Sequence, residues 1–202
     1  MPMLDELLQR VRTYSPRLLE TDRSFPEAAV LVPITRSDEP ELVLTLRASG
    51  LSTHGGEVAF PGGRRDPEDP DLIRTALREA EEEIGLPPGL VEVIGPLSTL
   101  VSRHGIKVTP YVGLVPDYVE YQANDGEIAS VFSVPLSFFR EDPREVTHRI
   151  DYLGHSWYVP SYRFGEYKIW GLTAIMVVEL VNLLYDADIQ LHRAPKTFIK
   201  LS

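Results

Sequence analysis

The stretch that most constrains this 202-residue chain is residues 70–84, a helix whose two ends are written into the sequence. Asp69 stands where an N-cap belongs, Pro70 takes the first helical position, and Gly85 followed by Pro87 stops the other end. At about 100° per residue, Ile73, Ala76, Leu77, Ala80 and Ile84 fall on one narrow face, which a sheet has to cover. Glu79, Glu82 and Glu83 follow i, i+3, i+4 spacing and gather on a flanking face. Residues 66–83 hold eight acidic side chains against two basic ones, Arg74 and Arg78.

An acidic helix is ordinarily a solvated face. Two features point to chemistry here. Arg78 is spaced to pair with Glu82 at i+4 and fix its orientation. The turn Phe60-Pro61-Gly62-Gly63 precedes the helix and leaves its backbone carbonyls unshielded by side chains. Hard divalent cations require several oxygens at fixed positions, and carboxylates with a loop carbonyl supply them. That donor set suits attack of water on a phosphate ester or anhydride, with metal ions neutralising the phosphate oxygens.

The rest of the chain reads as mixed α and β, class α/β (α+β). Leu4, Leu7, Leu8 and Val11 predict an N-terminal helix over 3–13. Strand-like runs occur at 28–34, 41–46, 57–60, 91–94, 108–115 and 128–134, the last after the turn Asn124-Asp125-Gly126. Residues 148–159 and 163–169 are expected to pair as a hairpin ahead of a closing helix, 171–185. No repeat or linker divides the chain, so residues 1–202 are expected to form one domain with its core at about 26–185.

The formal net charge of −10 repels nucleic acid and anionic lipid at long range. The absence of cysteine excludes disulfides, thiolate nucleophiles and Cys-based zinc sites, and fits a reducing compartment. Met1–Glu6 carries acid where a signal peptide carries base, and the run 169–185 is interrupted by Glu179 and Asn182. A cytoplasmic protein with no membrane and no nucleic-acid partner is therefore expected.

Gly63, five residues, Asp69, then Arg78-Glu79-Ala80-Glu81-Glu82-Glu83-Ile84-Gly85-Leu86 resembles the Nudix box, which marks hydrolases of nucleoside diphosphates linked to another group. The box has Glu where Asp69 stands, and seven residues before the Arg where this chain has eight. A longer loop with an intact helix is expected, and Asp69 is expected to cap it. Leu44-Thr45-Leu46-Arg47-Ala48 and Gly56-Glu57-Val58-Ala59-Phe60-Pro61-Gly62-Gly63 resemble the signature of the coenzyme A pyrophosphatase branch. The segments 102–112, 127–136 and 169–174 agree with it. Ser52 stands where that branch has a basic residue.

The resemblance implies a Nudix-type α/β/α sandwich with a mixed β-sheet. It also implies hydrolysis of the diphosphate of coenzyme A or its thioesters to 4′-phosphopantetheine, acylated or not, and adenosine 3′,5′-bisphosphate. Under it Glu79 and Glu83 bind Mg2+ or Mn2+ directly, Glu82 does so directly or through water, and Arg78 orients Glu79 or Glu82. The carbonyl of Gly62 or Gly63 is a further ligand. Glu127 is the foremost downstream candidate for general base, with the box itself as the other source, and Glu57 precedes the metal loop. A 3′-phosphate and a diphosphate need cationic partners: Arg47 first, then Arg103 and Lys107.

The histidines at 54, 104, 148, 155 and 192 show no paired metal-ligand spacing. Tyr111, Tyr118, Tyr121 and the pair Trp157-Tyr158 are available to stack on adenine, although packing is the ordinary use of such residues. ADP-ribose, NADH or a sugar nucleotide are the alternative substrates. A non-catalytic nucleotide-binding Nudix module is the alternative class, opposed by the presence of all three box glutamates. Family members are often dimers, and helix 171–185 belongs either to the core or to such an interface.

Overall fold

A computed structural model describes residues 2–17, 24–50, 55–152 and 154–200. Ser52 and His54 therefore lie outside the described residues. Helix α1 (Pro2–Thr13) forms where the leucine spacing predicts it and buries Leu4, Leu8 and Val11.

Strands β1 (Glu27–Arg36) and β2 (Glu41–Arg47) pair antiparallel at Ile34 and Leu42, next to the loop that joins them. At their other ends they are held apart. There β3 (Val58–Ala59) pairs with β2, and β4 (Gly62–Arg64) pairs with β1. The segment from Val58 to Arg64 is thus a wedge between two splayed strands. Its central turn is fixed by the Leu31 N–H, which donates to Pro61 O (2.9 Å), and by Thr45 Oγ1, which donates to Ala59 O (2.9 Å).

Helix α2 (Leu72–Ile84) carries the acidic motif and begins two residues later than the sequence predicts. Its N-cap is Asp71, in an extended conformation, whose carboxylate accepts from the Arg74 N–H at 2.8 Å. Asp69 is not the cap, because longer-range partners draw its carboxylate away from the helix end. At the other end Gly85 adopts the left-handed conformation (φ 65°) and its N–H closes the last turn, as expected. Ala76, Ala80 and Ile84 are buried against Ala29 and Leu31 of β1. Ile73 lies at the rim of that arc and is 37% exposed, so it is not part of the packed face; Leu72 takes its place.

Strands β5 (Glu92–Pro96) and β6 (Leu100–Val101) both pair antiparallel with β7 (Lys107–Pro116). Strand β7 in turn runs parallel to β1 along its whole length, from Glu27 opposite Lys107 to Arg36 opposite Pro116. Strand β8 (Ile128–Pro135) pairs antiparallel with the outer edge of β2. Among the described residues these eight strands form one mixed sheet.

A short helix α3 (Leu136–Arg140), which the sequence reading did not include, leads into a second sheet. The sequence predicts one strand over 148–159. Instead the chain reverses at Gly154 (φ 79°), and β9 (Arg144–Tyr152) pairs with β10 (His155–Phe164). Strand-forming residues stand on both sides of this reversal, Ile150 and Tyr152 before it and Trp157 and Tyr158 after it, and a single glycine marks it. Strand β11 (Tyr167–Ile169) adds to β10, and β12 (Ile199–Lys200) adds parallel to β9. Helix α4 (Gly171–Tyr185) buries residues on every side, among them Ala174, Val177, Val178, Val181 and Leu184. A helix apolar all round requires such a setting, and helix 171–185 accordingly belongs to the core.

Alternation along β1 sorts the layers. Ala29 and Leu31 face α2, while Ala28, Val32 and Ile34 face a larger cluster with α1, α4 and the second sheet. The large sheet thus has α2 on one face and α1 and α4 on the other. No helix among the described residues is long and apolar enough to cross a membrane.

Candidate active site

The site lies where the wedge meets α2. Two glycines permit the approach. Gly62 has φ 157°, and a Cβ there would come within 2.4 Å of Ala29 O and 2.5 Å of Val30 Cα. A Cβ on Gly63 would meet the Glu79 carboxyl group at 2.5 Å. The carboxylate of Glu79 therefore fills the space that any side chain at 63 would need.

Glu83, one turn further along α2, is 2% exposed. Its Oε2 accepts the Gly62 N–H at 2.9 Å, and its Oε1 lies 3.1 Å from Nη1 of Arg47 at the end of β2. Burial dominates its titration and pushes it up to about 7, against the opposing pull of the Gly62 N–H and Arg47. Glu79 is also raised by burial, with Arg78 opposing and the negative charges of Glu82 and Glu127 reinforcing. Glu127 stands just before β8, exposed, and its charge acts on both Glu79 and Glu83. Its backbone carbonyl accepts the Ala48 N–H at 2.8 Å, which ties the base of β8 to the end of β2.

Arg78 organises the outer side of the group. Its Nη1 donates to Glu79 Oε1 (3.0 Å) and to Glu82 Oε2 (2.9 Å), the i+4 pairing expected from the sequence. Its other edge grips Asp69, with Nε 3.1 Å from Oδ1 and Nη2 3.0 Å from Oδ2, and Nη2 also donates to Arg64 O (3.1 Å). Asp69 is 5% exposed and additionally accepts from the Asp66 N–H (3.0 Å) and Thr75 Oγ1 (2.9 Å). The guanidinium beside it holds its carboxyl well below the usual carboxylate range. Asp69 is the site residue that sequence reasoning confined to capping. The available signal was its place in the motif, where the box has a glutamate.

The fold thus brings Glu79, Glu82, Glu83, Arg78, Glu127, Arg47, Gly62 and Gly63 to one region. Glu82 differs from its two neighbours: it points outward and is mostly exposed. Glu57 precedes the wedge, and its carbonyl accepts the Arg47 N–H at 3.0 Å. Lys107 Nζ lies 3.7 Å from Glu27, a residue that Arg65 also holds, and Arg103 is exposed in the turn between β6 and β7. Neither is joined to the box glutamates by a contact among the described residues. Of the candidate stacking aromatics, Tyr121 and Tyr158 are packed inside, Trp157 lies against His192, and Tyr118 is 83% exposed.

The donor chemistry fits a hard divalent cation. Glu79 and Glu83 supply carboxylate oxygens beside a glycine-only stretch of backbone, and Glu127 adds charge from across the sheet edge. Among the described residues no three acidic or imidazole side chains are gathered tightly enough to hold an ion by themselves. Backbone carbonyls or water would complete such a shell.

Residues 25–150 match the family model of the NUDIX domain. The chain is 41% identical over 181 residues to an uncharacterized Nudix hydrolase NudL from Enterobacter sp. (strain 638), an alignment covering 88% of this chain and 92% of the relative. It is 42% identical over 188 residues to a protein of the same description from Yersinia enterocolitica serotype O:8, covering 89% and 92%. Among solved structures, a MutT/nudix family protein from Enterococcus faecalis superposes with a TM-score of 0.54 at 14% identity, covering 91% of this chain and 70% of that one. At that identity the likeness speaks for the fold.

Proposed function

The chain belongs to the Nudix hydrolase family as a pyrophosphohydrolase of a nucleoside diphosphate derivative, and we propose that this derivative is coenzyme A or one of its thioesters. Nudix hydrolases generally use divalent ions such as Mg2+ or Mn2+, and one of these is the proposed cofactor. The observation that carries the substrate reading is where the branch-like segments fold. Leu44–Ala48 ends at Arg47, whose side chain meets Glu83, and Gly56–Gly63 forms the wedge under Glu79 and Glu83. The two upstream segments that resemble the coenzyme A branch each supply residues to the candidate active site, Arg47 from one and Gly62 and Gly63 from the other.

In this reading Glu79 and Glu83 hold the ion, Glu82 supports it directly or through water, and the Gly62 or Gly63 carbonyl contributes a backbone ligand. The ion, when bound, supplies charge neutralisation at the diphosphate oxygens. Arg78 keeps Glu79 and Glu82 in place by sharing one nitrogen between them while Asp69 anchors its other edge. Glu127 accepts the proton of the attacking water, whose oxygen bonds to one phosphorus as the bridging oxygen leaves with the other phosphate. Arg47, Arg103 and Lys107 are the proposed cationic partners of the substrate's phosphates, with Arg47 nearest the reacting group.

Ser52, where the branch has a basic residue, favours a second reading: ADP-ribose, NADH or a sugar nucleotide as substrate. Product analysis by liquid chromatography and mass spectrometry separates the two. The protein is incubated with Mg2+ or Mn2+ and, separately, coenzyme A, ADP-ribose and NADH, with Glu83→Gln as control. Adenosine 3′,5′-bisphosphate from coenzyme A is the expected result. Cleavage of the other two with coenzyme A untouched would discard the proposed substrate and keep the hydrolase.

A further inference from the structure

We propose that Arg47 competes with the divalent cation for the Glu83 carboxylate, so that loading of the cation hands the guanidinium over to the anionic diphosphate. The inference rests on the reading of Glu83 as a metal ligand. A carboxylate buried as deeply as Glu83 needs a compensating positive charge. The chain supplies one itself, 36 residues away in sequence: the Arg47 guanidinium, 3.1 Å from Oε1. The second oxygen is already committed to the Gly62 N–H at 2.9 Å. A cation taking Oε1 therefore meets Arg47 on the same atom, and two positive charges at that distance repel.

Arg47 is built to give way in its side chain alone. Its backbone is clamped on both sides, with its N–H donating to Glu57 O (3.0 Å) and its carbonyl accepting the Gly56 N–H (3.0 Å). The next residue, Ala48, donates to Glu127 O (2.8 Å), and the register of β2 against β8 shifts between Leu46 and Arg47. That irregularity re-aims Arg47 relative to the strand before it. The Arg47 side chain is 23% exposed while that of its partner is 3% exposed, so an outward route lies on the arginine side. Once displaced, the group stays tethered at the end of β2 beside the cation, where the oxygens of a bound diphosphate offer it a new anionic partner.

The test is calorimetric titration of Mg2+, at pH 8.5, into chelator-treated wild type, Arg47→Gln, Arg47→Lys and Glu83→Gln proteins whose folding is checked by thermal melts. Competition predicts that Arg47→Gln binds Mg2+ about tenfold more tightly than wild type, the weight of a partly buried ion pair. Arg47→Lys, which keeps the charge and the aliphatic stem, shifts the same way by a smaller factor. At saturating Mg2+, Arg47→Gln binds ADP, the diphosphate probe, more weakly than wild type. Mg2+ affinity that is unchanged or weaker in both arginine variants overturns the inference, because Arg47 then merely orients Glu83. Unchanged ADP affinity overturns the handover. Mg2+ binding that survives intact in Glu83→Gln is a different failure, that of the metal-ligand reading itself.

Discussion

Asp69 and Arg78 meet fork to fork, with Nε 3.1 Å from Oδ1 and Nη2 3.0 Å from Oδ2, and this pair pins the loop before α2 to the helix that follows it. The same guanidinium holds Glu79 and Glu82, so the loop, the helix and the site glutamates share one cation.

Loss of the Asp69 charge is accordingly expected to destabilise the fold. Asp69→Asn should lower unfolding free energy by about 2–3 kcal/mol, the scale for a buried partner of a charged group. The sign with pH follows from its depressed titration. The pair stabilises above the ordinary aspartate range and the contribution is lost as pH falls below it. Urea unfolding of wild type and variant should therefore begin to draw together only below about pH 4 and continue to do so as pH falls toward the depressed titration of the folded state. Equal stability of the two at neutral pH would contradict the anchoring role.

The two glycines of the wedge should fail differently. Gly62→Ala drives a methyl into the backbone of Ala29 and Val30, which cannot move aside, so it should cost about 2 kcal/mol or more of stability. Gly63→Ala meets the carboxyl end of the Glu79 side chain instead, which side-chain rotation alone can move aside, and should leave the melting temperature near wild type. Its cost should appear in kcat, by about a hundredfold, from the displaced carboxylate. Melts and turnover on the same pair of variants distinguish the cases.

Glu83 makes stability depend on pH in the opposite sense from Asp69. Burial raises its titration from 4.5 to about 7, so the folded chain holds that proton more tightly than the unfolded chain. In the presence of a chelator, stability should fall as pH rises from about 4.5 to 7, by an amount on the order of 3 kcal/mol. Glu83→Gln, which cannot ionise, should abolish that slope in denaturant titrations at pH 5 and pH 8. Divalent-ion affinity should rise across the same interval, since the ion requires the ionised form.

Glu127 is exposed and lies off the α2 surface, so its removal should spare the fold. As general base it should be worth about 10²–10⁴ in kcat. Glu127→Gln is expected to lose that factor while weakening Mg2+ binding, by calorimetry, far less than Glu83→Gln does, because its charge acts on Glu79 and Glu83 only from a distance. A wild-type kcat would assign the proton to another group.

The legible parts of this molecule are those encoded locally. Helix α2 announces itself through capping residues, an apolar arc and an acidic flank, and the i+4 pair of Arg78 with Glu82 follows from spacing alone. The two-residue slip at its start has a tertiary cause: Asp69 is claimed by Thr75 and Arg78, six and nine residues on, which leaves Asp71 to cap. The wedge formed by β3 and β4 depends on β1 and β2 splaying apart, which no local pattern states. The pairing of Arg47 with Glu83 requires that same splay. The second sheet was visible only as a hairpin, because its turn at Gly154 interrupts a run of strand-forming residues that stand on both sides.

The most direct test of the account is the turnover of Glu83→Gln against wild type on coenzyme A with saturating Mg2+, alongside a thermal melt of each. Loss of activity by about three orders of magnitude or more with the fold retained is the expected result, as for removal of a group that acts at the transition state. Turnover equal to wild type, in a variant that melts normally, would contradict the assignment of this site.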